Sequence, residues 1–367
     1  FLTLLLGILY APFVSAQDTL WREQAPWEGV PEYYRKWNYP DFSFPANLNA
    51  WNKERPKIQD TLKMLLGDIP PRPKQLKVQT VYKKQLNGYT LEKLLIDNEV
   101  DGWIPALLAI PTNVKGKVPV VLSLHGSSNN KDNIFGLFGV GAYTSQNVLA
   151  VLIPQGFALM AIDSHYNGDR RGTGPAGERE RQSHSLDQEE SQWKIHTWFG
   201  RTLWGMQLRD EQIALDYLAS RSEIDSSRIG AQGMSMGSTH SWWLAALDNR
   251  IKAVVGVACF THYKELIAQR ELKAHDLGYF VPGMLKHFDT EAVMGLIAPR
   301  PFLALTGDSD IGSPPSGMKV LEKKLDAVYS LFNQRDRFKS IIYPQTGHVY
   351  TDEMKIEMLA WFQKYLK

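Results

Sequence analysis

Arg228-Ile229-Gly230-Ala231-Gln232-Gly233-Met234-Ser235-Met236-Gly237-Ser238-Thr239-His240 spells Gly-x-Ser-x-Gly across its centre. The residues ahead of the motif have strand character, and residues 238–248 behind it hold enough Ala, Leu and Trp for a buried helix. A serine between strand and helix fits a nucleophile elbow. In that strained turn, glycines two places before and after the serine let neighbouring backbone pass without a Cβ clash. A Gly/Ser turn without chemistry has the same spelling, and with 28 glycines in 367 residues the pattern alone does not decide.

Outward from the motif, apolar or alternating runs bounded by turn residues predict strands over residues 76–82, 89–96, 103–110, 118–124 and 157–162. Further strands are expected at 228–232, 251–258, 301–305 and 339–343. Helical periodicity marks 208–220, 318–332 and 352–365. Strands first, followed by strict alternation with helices, give an α/β fold. Its mostly parallel central sheet has antiparallel N-terminal strands and helices on both faces.

Ligands of such a sheet bind at the carboxyl ends of its strands. The 301–305 strand runs into Thr306-Gly307-Asp308-Ser309-Asp310, and the 339–343 strand into Pro344-Gln345-Thr346-Gly347-His348. Serine, acid and histidine, each after a parallel strand and in that chain order, are the parts of a catalytic triad. At this point both Asp308 and Asp310 qualify as the acid.

The 41 basic and 39 acidic residues are interspersed and give a net charge of +2, so no nucleic-acid or membrane-surface partner is indicated. Residues 1–16 form an apolar run that closes on Val14-Ser15-Ala16, the pattern of a signal peptide lacking its start, with cleavage before Gln17. The run is shorter than the ~20 residues that span a bilayer. The expected destination is the periplasm or the exterior. Cys259 is the sole cysteine, which excludes an internal disulfide. Residues 17–75 read as an extension over the catalytic domain, with a helix over 58–66 ending at Gly67. The domain itself spans 76–367.

With these motifs in place, the chain resembles the α/β-hydrolase superfamily. Gly233-Met234-Ser235-Met236-Gly237 matches the elbow, Gly307-Asp308-Ser309-Asp310 the acid turn, Gly347-His348 the histidine loop and Leu124-His125-Gly126-Ser127 the His-Gly turn. Residues 216–221, 228–230 and 296–301 resemble the dienelactone-hydrolase-like and acetylxylan-esterase-like branch, related to the catalytic domain of prolyl oligopeptidases. The resemblance implies Ser235 as nucleophile and His348 as base. Because the family acid sits three residues after the turn glycine, it favours Asp310 over Asp308. It also implies the backbone N–H groups of Met236 and Ser127 as the oxyanion hole, with His125 a structural turn residue.

Departures narrow the expected chemistry. Met236 stands where glucuronoyl esterases carry Arg, dienelactone hydrolases proper have Cys in place of Ser235, and residues 17–75 cannot build a propeller. The expectation is a secreted serine esterase, free of cofactor and metal, acting on acetyl or similar short acyl groups of a small alcohol or carbohydrate. A serine peptidase or amidase and a non-catalytic hydrolase-like binding protein are the alternatives.

The irregular insert at 164–205 is expected over the site, with Trp193 and Trp198 as sugar-stacking faces and Arg170 or Arg171 meeting an acidic group. Trp242 is expected in the core with one edge near the pocket. His165, His240 and His262 lie on separate elements without metal-ligand spacing, Arg209-Asp210 reads as a helix-surface pair, and Cys259 as a buried inert thiol.

Overall fold

The computed structural model describes residues 30–127, 129–137, 146–171 and 187–367. The expected signal segment therefore lies outside the described residues. Contacts divide the chain into two units, Phe1–Trp37 and Asn38–Lys367. The described part of the first holds a short helix, Glu32–Arg35. All that follows concerns the second.

Nine strands form one sheet: β1 (Val78–Leu86), β2 (Tyr89–Asp97), β3 (Trp103–Pro111), β4 (Val118–Leu124), β5 (Ala158–Ile162), β6 (Ile224–Met234), β7 (Ile251–Val257), β8 (Phe302–Gly307) and β9 (Phe338–Tyr343). Their spatial order is β1-β2-β3-β5-β4-β6-β7-β8-β9. The pairings of β1 with β2, β2 with β3 and β3 with β5 are antiparallel, and the rest are parallel. The chain therefore leaves β4 for β5 on one side and returns across it to β6 on the other. That reversal opens a crevice at the carboxyl ends of β4 and β6, the usual place for a ligand in an open α/β sheet.

The expected strands all form, with ends displaced by a few residues. Alternation along β7 shows how the sheet separates two cores. Ala253, Val255 and Val257 pack on the face that carries α6 (Asp352–Leu366), while Val254 packs on the other. That second face carries α1 (Leu48–Leu66), α3 (Leu203–Ser220), α4 (Met236–Leu247) and α5 (Pro315–Leu331). Between β5 and α3 lies α2 (Asp187–Trp198).

The extension is more deeply integrated than its sequence implies. Helix α1 ends at Gly67 as expected, where φ is +86° and a Cβ would strike Gly200 O. It begins ten residues before the expected start, capped by Asn47, whose Oδ1 accepts from Ala50 N at 2.9 Å. Trp51, Ile58, Leu62 and Leu66 are buried in the same core as α3 and α4. No helix among the described residues is long and apolar enough to cross a membrane.

Candidate active site

Ser235 connects β6 to α4 at φ +59° and ψ −123°, a conformation that costs on the order of 1–3 kcal/mol for a residue with a Cβ. The turn is pinned on both sides: Ser235 N donates to Val257 O at 2.9 Å, and Thr239 N to Ser235 O at 3.1 Å. The flanking glycines are required by space. A Cβ on Gly237 would lie 1.9 Å from Leu124 O, and one on Gly233 would lie 2.4 Å from the Gly237 carbonyl. The Gly-x-Ser-x-Gly pattern is thus the footprint of backbone passing backbone.

The loop after β4 closes against the same serine. A Cβ on Gly126 would meet Ser235 Cβ at 3.3 Å, which places the His-Gly turn beside Ser235. His125 is buried, and burial pushes its pKa down, so the ring is neutral. Its Nδ1–H donates to Gly126 O at 2.8 Å while Nε2 accepts from Ser164 N at 3.0 Å, tying the ends of β4 and β5 together. Gly126 N donates to Gln146 Oε1. Ser127 follows, its hydroxyl bonded to Asp276. Behind this loop, Lys131 and Asp163, both fully buried, pair at 2.9 Å, and Lys131 Nζ also reaches Asp169 at 2.9 Å.

His348 Nδ1 lies 2.9 Å from Asp310 Oδ2. Asp310 is 2% exposed, and its other oxygen accepts from Gly312 N at 2.9 Å. The two loops are fused through backbone: Ser309 N donates to Thr346 O at 2.9 Å, and a Cβ on Gly307 would lie 2.0 Å from that same oxygen. Asp308 accepts only from its neighbour Ser309 Oγ in this turn. His348 itself is exposed. Cys259 sits beside the Ser235, Thr239 and Tyr279 hydroxyls and within electrostatic reach of Asp310. Its thiol is buried, with a pKa pushed up to about 12, chiefly by burial.

An apolar cavity of about 200 Å³ adjoins these loops, lined by residues that include Tyr263, Leu266, Leu272, His275, Tyr279 and Met284. His275 Nε2 donates to Gly312 O at 3.1 Å, so one wall is attached to the Asp310 loop.

Several expected substrate residues are placed elsewhere. Arg170 is committed to an ion network: its NH1 donates to Asp210 Oδ2 at 2.6 Å and its NH2 reaches Asp101 Oδ1 at 3.4 Å. Trp242 is 1% exposed and packs in the core against Trp243, with no edge for a ligand. Trp193 is half-buried on α2. Trp198 is 88% exposed at the end of that helix, and Arg171 is exposed at the edge of the described segment. The insert is partly helical, since α2 and the first turn of α3 fall within it.

Arg209 and Asp210 are buried, contrary to the surface reading. Arg209 holds Pro70 O, Pro71 O and Asn98 O, which anchors the chain before β1. The three histidines on separate elements are each paired with carboxylates, His240 with Glu211 at 2.6 Å. His165 meets Asp101 and His196, and His262 meets Asp289 and Glu291, each trio with potential ligand atoms within 4.8 Å. A cation already occupies each group: Arg170 NH2 lies 3.2 Å from His165 Nε2, and Lys324 Nζ lies 3.0 Å from Glu291 Oε1. Both are ion-pair clusters.

A family profile and a relative in sequence join the geometry here. The chain belongs to the Abhydrolase family. That family's profile matches residues 30–312. Bacillus subtilis YtaP, named as a hydrolase, is 33% identical over 304 residues, covering 82% of this chain and 96% of YtaP. Among solved structures, a Bacteroides fragilis protein described as an acetyl xylan esterase superposes with a TM-score of 0.67 at 19% identity, covering 90% of this chain and 83% of that one. A glucuronoyl esterase from Solibacter usitatus superposes with a TM-score of 0.65 at 16% identity, covering 89% and 98%. The chain is an α/β hydrolase of this family, and carbohydrate esterases are among the solved structures that share its fold.

Sequence reasoning missed Tyr166, Glu189, Gln207 and Asp276, which gather beside Ser127 and Met236. They are isolated polar residues on four segments, and no spacing connects them.

Proposed function

We propose that the protein is a secreted serine esterase that removes acetyl or similar short acyl groups from a hydroxylated alcohol, through a Ser235 acyl-enzyme. The observations that carry this reading are the strained Ser235 elbow, the His348–Asp310 pair, and the Cys259 thiol that touches the Ser235 hydroxyl and feels the Asp310 charge. With Nδ1–H engaged by Asp310, His348 keeps Nε2 as the base. It takes the Ser235 hydroxyl proton as Oγ forms its bond to the ester carbonyl carbon. The negative charge that develops on the carbonyl oxygen faces the backbone N–H groups of Met236, at the start of α4, and Ser127. Collapse of the tetrahedral intermediate breaks the bond to the alcohol oxygen, which receives the proton from His348. Water then repeats the sequence on the acyl-enzyme, releases the acid and restores Ser235.

The 200 Å³ cavity supports a short acyl group. Its wall is apolar and is tied to the Asp310 loop through His275, which suits a small acyl chain. The apolar run over residues 1–16 supports export. The test is turnover of p-nitrophenyl acetate, butyrate and octanoate beside acetylated xylan, each with wild type and Ser235→Ala. Ser235-dependent turnover that favours acetate and extends to the polysaccharide is the expected result. Turnover that persists in Ser235→Ala would overturn the mechanism, and preference for octanoate would overturn the short-acyl assignment.

A further inference from the structure

Two depressions of opposite character meet at the loop that carries Asp310. The apolar cavity has Leu272 and His275 in its wall. Beside it opens a cleft of about 450 Å³, within the range of small-ligand sites, lined by residues that include Gln269, Glu271, Asp308, Asp310, Ile311 and Pro315. One segment separates the two. A short helix, Tyr263–Gln269, ends at Arg270, where a φ of +63° turns the chain, and Glu271 N then donates to Leu266 O at 3.1 Å. Glu271 lines the cleft, whereas Leu272, the next residue, lines the cavity. Both depressions border the acid loop, the cleft through Asp310 and Ile311 and the cavity through the His275 bond to Gly312 O.

The cleft is open to solvent: Gln269, Ile311 and Pro315 are exposed, and Glu271 and Asp308 are half-buried. Asp308 Oδ1 accepts from Ser309 Oγ at 2.9 Å, and Asp310 is held by His348 and Gly312 N. Among the described residues, by contrast, the Gln269 carboxamide and the Glu271 carboxylate have no hydrogen-bond or ion-pair partner. They are the groups that a ligand in the cleft would meet first.

We infer that the cleft holds the alcohol part of the ester, and that Glu271 and Gln269 bind hydroxyls of a neutral, polyhydroxylated group there. The inference rests on the esterase reading and deepens it, because it names the chemistry on the far side of the ester bond. An ester carries two unlike groups, and an apolar cavity and a polar cleft one residue apart, both on the loop that orients His348, match that division. A carboxylate only accepts, so its two oxygens suit two neighbouring hydroxyls, while a carboxamide donates and accepts as a hydroxyl does. Ile311, 62% exposed, and Pro315 supply an apolar surface for the C–H face of a sugar ring. An anion would face the Glu271 and Asp308 carboxylates. A small cation would pair with Glu271 and leave the Gln269 N–H groups and the apolar surface uncovered.

The test is binding, read apart from turnover. Xylobiose, glucuronate and choline are titrated against Ser235→Ala, Ser235→Ala/Glu271→Ala and Ser235→Ala/Gln269→Ala, with ligand-observed NMR as the readout. Neither added substitution removes a side-chain hydrogen bond among the described residues, so both variants keep the fold. The expected result is that xylobiose binds and glucuronate and choline do not. Glu271→Ala should weaken xylobiose about tenfold and Gln269→Ala about threefold, as for the loss of two hydrogen bonds and of one. A xylobiose affinity unmoved by both substitutions, or a preference for choline or glucuronate, would overturn the inference. If xylobiose binds through Glu271 but the wild type cleaves no ester, the sugar site stands and the esterase reading falls. If the wild type cleaves p-nitrophenyl acetate and xylobiose does not bind, the esterase reading stands and the sugar site falls.

Discussion

His348 reaches past Asp308 to Asp310, its Nδ1 2.9 Å from an oxygen of an almost wholly buried carboxylate. Burial matters because a desolvated carboxylate holds the imidazole in one tautomer and stabilises the imidazolium that forms in the reaction. Asp310→Asn should lower kcat on p-nitrophenyl acetate by about 10³–10⁴-fold. Asp308→Asn, which leaves that contact intact, should change kcat by less than about threefold. The reverse ranking would transfer the role to Asp308.

Lys131 provides a stability test separate from chemistry. Its ammonium is fully buried between Asp163 and Asp169, and Asp163 also accepts from Lys131 N and Asp169 N. Lys131→Met would strand a buried carboxylate, at a cost of about 3–5 kcal/mol. Because the residue follows the His125–Ser127 turn, catalysis should fall together with the urea midpoint. A Lys131→Met protein with an unchanged midpoint would show that the pair contributes little.

Glu189 gives a pH-dependent signature. Burial, with Asp276 beside it, raises its pKa from 4.5 to about 7, so the folded protein binds this proton more tightly than the unfolded chain. Stability from this group is therefore present at low pH and lost as pH rises from 4.5 through 7. Above that, ionisation in the buried site costs about 3 kcal/mol at most. Glu189→Gln keeps an amide oxygen for Gly278 N and Tyr166 OH and removes the ionisation. The variant should be more stable than wild type at pH 8, and the advantage should vanish near pH 4.5. A gain independent of pH in thermal unfolding would mean that Glu189 is not titrating in this window.

The sheet was legible because buried parallel strands are continuous apolar runs with little room for misreading. Residues 118–124 were placed without error, and the displaced ends of other strands lie where pairing continues into polar residues, as at Asp225–Arg228 of β6. The elbow and the turn at Gly307 were legible because glycine there is a steric requirement that survives in the sequence. Partnerships between distant segments were not. Arg170 reads as a cation of the insert for an acidic group of the substrate, and only folding brings it to Asp101 and Asp210, 69 and 40 positions away in the chain. Helix α1 extends ten residues ahead of its expected start and holds Pro56 within it, supported by the burial of Trp51 and Ile58.

Thr346 O accepts from Ser309 N and leaves no space for a side chain on Gly307, so the turns carrying Asp310 and His348 are a single mechanical body. Asp310 and His348 can shift toward or away from Ser235 together, and not relative to one another. A loop exchange between members of this family that transplants one turn without the other should break the register of the pair, whereas a joint graft of residues 306–314 and 344–350 carries the geometry intact.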